Sequence, residues 1–279
     1  MGDHLVLANR KLTLTTEEGR RIERPEADLD AMYREELLAP LNGEALPDGV
    51  KFAEWRNPFL LVVHQMPPHV RQLRWIAADS PRDFGPGTKY RKVRLSFPYA
   101  VTFAMYVKHG PHLHLTSANE LYFRNAPLRR KTDRLGYPAL LNISCIKAPG
   151  RLRSWICTQH LPKSRESGWP NQLQMLVEHT WNGAFNRSSE RHEGQSAYGY
   201  SKGIHPDLHP VEKWQDASTD DAFALKVPWR EVPLCVGELM NCIFREASAG
   251  LVDCGGRAHS GAGILTRFLG FVQRSQTQH

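Results

Sequence analysis

The chain has 279 residues, 41% of them hydrophobic and 23% charged, a balance that fits a packed globular protein and excludes wholesale disorder. Its longest apolar run, Phe59 to Val63, is far short of the roughly 20 residues that span a bilayer, and Met1-Gly2-Asp3-His4 carries an acid where a signal peptide carries bases. No secretory or membrane segment is therefore expected. The net charge of +7 is uneven: residues 1–50 hold 6 Lys/Arg and 11 Asp/Glu (net −5), whereas residues 51–134 hold 15 and 5 (net +10).

The first 50 residues are polar, with a helix expected over Glu26 to Leu38, where Leu29, Met32, Tyr33 and Leu37 recur at helical spacing between Pro25 and Pro40. The texture then changes to β-type. Phe59 to His64 reads as a strand that Pro67-Pro68 breaks, and Val70 to Ile76 alternates Leu73 and Trp75 with Arg71 and Arg74. Ser80 to Thr88 is a Pro/Gly-rich loop. Arg91 to Val107 forms one long or two short strands, Gly110-Pro111 a turn, and His112 to Phe123 a further strand. The links are too short for crossover helices, so residues 59–123 are expected to form an antiparallel meander.

An irregular excursion follows over Ala126 to Asn142, and Ser154 to Thr158 is a short apolar insert. A helix from Asn171 places Leu173, Leu176, Val177 and Trp181 on one face. Residues 186–222 read as a loop, and a second helix covers Val232 to Ala247. Gly250 to Gly263 looks like a hinge, and Ile264 to Val272 like a short amphipathic helix. The fold class is α+β, an antiparallel sheet flanked by helices.

Five cysteines, at 145, 157, 235, 242 and 254, form no CxxC pair. An odd count without metal-type spacing fits reduced thiols in a cytoplasm. Cys235 and Cys242 fall on the second helix and read as core. Cys157 follows a strand in extended chain, a placement that can present sulfur at a groove, and Asn142 upstream could donate to an oxyanion formed in acyl transfer. His160, three residues after Cys157, could perturb the thiol. The alternative for Cys157, between Trp155-Ile156 and Thr158, is a small buried hydrophobe.

The order of strands, proline-containing excursion with an Asn, short apolar-Cys element and helices resembles the ubiquitin-conjugating enzymes, whose signature is His-Pro-Asn followed by Gly-x-Ile/Val-Cys-Leu. It is closer still to divergent bacterial relatives, among them the group called PRTRC system protein B. The resemblance covers roughly residues 59–185. Leu140-Leu141 stand where His-Pro precedes the Asn in that family, and the gap from Asn142 to Cys157 is longer. The resemblance implies that Cys157 forms the thioester and Asn142 supports the oxyanion. It implies no cofactor, with a ubiquitin-like modifier and an activating enzyme as partners. The organisation then becomes an acidic extension (1–50), a ubiquitin-conjugating-like core (51–185), a polar loop and helix packed on it (186–249), and a Gly-rich tail (250–279).

Other features leave alternatives open. The basic block could dock nucleic acid or another acidic partner, and the same fold could serve as a non-catalytic scaffold. His109, His112 and His114 surround a hairpin tip, but no acid or thiol completes a metal set there, and no metal is expected. The run Ser188 to Gly194, with His192 between two glutamates, could fold over Cys157 and orient it.

Overall fold

The computed structural model describes residues 4–8, 11–15, 21–25, 46–110, 112–161 and 168–249. The chain divides into two compact units, the second starting at Pro47. In the first, β1 (His4–Ala8), β2 (Lys11–Thr15) and β3 (Arg21–Pro25) form an antiparallel sheet with β2 central. Leu12-Thr13-Leu14-Thr15 alternates with period two, a signal too short to stand out in a polar segment. The helix expected over Glu26–Leu38, and the hinge and final helix after Gly250, lie outside the described residues.

The second unit opens with β4 (Val50–Arg56), β5 (Phe59–Met66) and β6 (His69–Ile76). It continues with β7 (Tyr90–Phe97), β8 (Tyr99–His109), β9 (His112–Leu115) and β10 (Glu120–Arg124). The strand breaks at Pro67-Pro68 as expected, but β5 does not turn back to pair with β6. Phe59 pairs with Val107 and Met66 with Ala100; beyond the prolines His69 pairs with Phe97 and Ile76 with Tyr90. The register is unbroken, so residues 59–76 and 90–107 are the two arms of one long hairpin. Prolines lack the N–H a ladder needs. Where Pro67-Pro68 faces Pro98, the ribbon bends from one sheet into another.

Four successive arms thus pair as a meander, though its strands are divided differently from the expectation. The fourth arm is also interrupted. β9 and β10 both run along β8, and between them Thr116 to Asn119 bulge out. The Asn119 side chain fills the gap, accepting from Met105 N and donating to Thr116 O.

Beyond β10 lie β11 (Arg134–Gly136), β12 (Ile143–Ala148) and β13 (Arg151–Ile156). The main sheet runs β12-β13-β10-β8-β5-β4. The helices are α1 (Trp169–Asn182), α2 (Ser188–His192), α3 (Ala197–Tyr200), α4 (Val211–Ala217), α5 (Phe223–Lys226) and α6 (Val236–Ser248). A two-residue strand, β14 (Ala184–Phe185), extends the β6–β7 sheet, and β15 (Glu231–Cys235) pairs with β11.

β5 and β8 are buried on both faces, which explains their near-continuous apolar runs. On one face Leu61, Val63, Phe103 and Met105 pack with Leu239, Met240, Ile243 and Phe244 of α6. On the other, Tyr106 donates to Trp169 O at the start of α1. Gln172 of α1 accepts from Leu115 N and donates to Leu113 O, satisfying the open edge of β9 and pinning the helix there. That anchor fixes where the far end of α1 arrives.

Candidate functional site around Cys157

The β12–β13 hairpin turns at Gly150, whose φ of +73° is the left-handed conformation that glycine adopts without strain. Pairing proceeds outward from Ala148↔Arg151 to Ile143↔Ile156. The next residue on each strand is Asn142 and Cys157. The two sequence candidates therefore flank the open end of one hairpin, although 15 positions separate them.

The last turn of α1 ties this end down. Asn142 Nδ2 donates to Thr180 O at 2.8 Å, and His179 Nε2 lies 2.9 Å from Cys157 O, a contact that makes this nitrogen the protonated one. Asn142 Oδ1 is buried without a hydrogen-bond partner, and Cys157 itself is half-buried. His160 is exposed on the turn after β13, and among the described residues no hydrogen bond joins it to Cys157 or Asn142. His179 was not anticipated: in sequence it reads as an ordinary basic residue in a helix's last turn.

The other thiols differ in setting. Cys145 lies inside β12, and burial pushes its thiol up to about 12, so it is protonated at neutral pH. Cys235 and Cys242 are half-buried rather than core. Cys235 caps the start of α6, and Cys242 Sγ accepts from Arg245 at 3.3 Å.

The segment Ser188–Gly194 packs on β12 rather than over Cys157. Ser144 Oγ donates to Glu193, Ser196 Oγ donates to Glu190, and Cys145 N donates to Gln195 O. β12 is an edge strand, and Gln195, just after this segment, takes up the outward N–H of Cys145. His192 instead lies beside Phe84, ring centroids 5.1 Å apart. At the β8–β9 tip, His112 and His114 rings are 6.3 Å apart, and among the described residues no three His, Cys, Asp or Glu side chains are placed to hold a metal.

β13 also carries a buried charge cluster that sequence reading missed. Arg151, whose side chain is fully inaccessible, donates to both oxygens of Glu120 at 2.6 Å and to both of Glu246 at 2.7 and 2.8 Å. Tyr122 OH donates to Glu120 at 2.6 Å, and Arg153 adds a contact of 3.2 Å. Burial raises the Glu120 carboxyl, but the Arg151 guanidinium outweighs it and the net shift is downward. The cluster joins β10, β13 and α6 four residues before the candidate thiol's neighbour Trp155, which is itself held by Nε1 donating to Ser117 O.

Comparison with family models, with curated proteins and with solved structures finds no match to this chain. The geometry above therefore stands on its own. Among the described residues no helix is long and apolar enough to cross a membrane. The basic block is extensively paired: Arg56 and Lys131 with Glu54, Lys89 with Asp79, Arg91 with Glu212, Arg94 with Asp221 and Arg124 with Asp133.

Proposed function

We propose that this protein is a ubiquitin-conjugating-like carrier that holds a small modifier protein as a thioester on Cys157. The observation that carries the reading is the β12–β13 register, which ends at Ile143↔Ile156 and leaves Asn142 and Cys157 as the next residues at the hairpin's open end. In the proposed step, the Cys157 thiolate attacks the carbonyl of a modifier already held as a thioester on an activating enzyme. The new S–C bond forms on Cys157, the old C–S bond breaks, and the leaving thiolate takes up the proton that Cys157 has lost. The negative charge on the carbonyl oxygen is met by the second hydrogen of Asn142 Nδ2, the first being committed to Thr180 O. His179 acts as a positioning residue, holding the Cys157 peptide through its carbonyl.

Modifier, activating enzyme and ATP should yield an adduct that reductant removes. Cys157→Ser should abolish that reductant-sensitive adduct, Cys145→Ser should leave it intact, and Asn142→Ala should slow its formation by about 100-fold. An adduct unchanged in Cys157→Ser overturns the reading. Iodoacetamide offers a check without partners: native labelling at Cys157 supports a carrier, and inertness until unfolding supports a scaffold with a packed thiol.

A further inference from the structure

The loop joining β10 to β11 is rigid, basic and concave. Asp133 folds back so that Oδ2 accepts from the backbone N–H groups of Arg129 and Arg130 at 2.8 and 3.0 Å, and pairs with Arg124 at 2.5 Å. Asp133 N donates to Arg130 O, while the first residues of α6 donate from Val236 N to Asp133 O and from Gly237 N to Lys131 O. These bonds fix the loop on both sides. They border an open concavity of about 350 Å³ lined by Arg124, Arg129, Arg130, Thr132 and Asp133 over Ala126 and Pro127.

The charges do not cancel. Asp133 is matched by Arg124, and Lys131 is turned away to Glu54 at 2.6 Å. Among the described residues no carboxylate pairs with the side chains of Arg129 or Arg130, which leaves two guanidiniums and the Thr132 hydroxyl as donors at one concavity. Burial raises the Asp133 carboxyl, but Arg124 and the two amides hold it down to about 2, so its own pairing persists at neutral pH. Guanidiniums on a fixed loop suit a multiply charged oxyanion, which accepts several charge-assisted hydrogen bonds at once.

We infer that this pocket binds a phosphoryl group, with Arg129 and Arg130 as charge partners and Thr132 as a neutral donor. The site is separate from Cys157 and independent of the carrier reading. Calorimetric titration of the full chain with inorganic pyrophosphate, and separately with adenosine triphosphate, in low-salt buffer should give saturable one-to-one binding that weakens as salt is added. Arg129→Ala/Arg130→Ala should weaken it by roughly tenfold or more. Arg74→Ala/Lys92→Ala removes equal charge from a cross-strand pair on the β6–β7 sheet, and should leave binding within about twofold of wild type. Equal affinity for the two ligands identifies a bare phosphoryl group as the recognised element, and a preference for the triphosphate identifies a nucleotide. No saturable binding, or equal loss in both double variants, overturns the site.

Discussion

Arg151 has the most at stake of any single side chain here. It lies out of water with two carboxylates arranged about one guanidinium, and removing it leaves Glu120 buried with only Tyr122 and Arg153 to answer its charge. Arg151→Met is expected to lower the unfolding free energy by about 3–5 kcal/mol, measured by urea denaturation. A loss below about 1 kcal/mol would mean that the carboxylates find water or protonate at little cost. Nothing in the sequence marked this cluster. Its members lie 31 and 95 positions apart, and charged residues in strands read as solvent-facing by default. Cys157 and Asn142 were legible as residue types, and their adjacency was implied by the family resemblance. The hairpin register that brings both to its open end is visible only in three dimensions, and His179 carried no distinguishing signal at all.

The elements that could be read are those long enough to repeat a period. α1 and α6 each bury a stripe with helical spacing. The strands of the bent hairpin alternate wherever one face is wet, as in β6 and β7. Helices α2 to α4, of four to seven residues, complete at most two turns, so residues 186–222 read as loop. β15 was absorbed into the second helix because Val232 fits both patterns; Glu231 and Pro233 are exposed on either side of it, the period of a strand. Its partner β11 depends on Gly136, where an added Cβ would meet Trp229 Cβ at 2.5 Å. Trp229 is in turn packed on Phe123, with ring centroids 5.0 Å apart. Gly136→Ala is expected to cost about 1–3 kcal/mol, read from the shift in denaturant midpoint. An unchanged midpoint would show that the Trp229 backbone yields freely.

At the scale of the second unit, acid should act in two stages. Burial, aided by the Lys202 charge, lowers His209 to about 4, and burial likewise lowers His64 and His69. The unfolded chain takes up these protons near the ordinary imidazole value of about 6.5, before the folded one does. Stability is therefore fully present above that value and declines as pH falls toward about 4. Asp133, held at about 2, extends the decline below the usual carboxylate range. Thermal melting followed from pH 7 to about 2 should show both stages, with His209→Gln flattening the upper one and Asp133→Asn the lower. A melting temperature constant between pH 6.5 and 4 would contradict the burial assigned to these imidazoles.

The bent hairpin has a consequence for how errors in assembly are rejected. A slip of one position in a two-stranded ribbon turns every side chain to the opposite side. Here a single slip would eject Leu73 and Trp75 from beneath one sheet and move Leu61 and Val63 away from α6 in the other. Two separate hydrophobic interiors thus proofread one alignment, and neither can be satisfied by a mistake that the other tolerates.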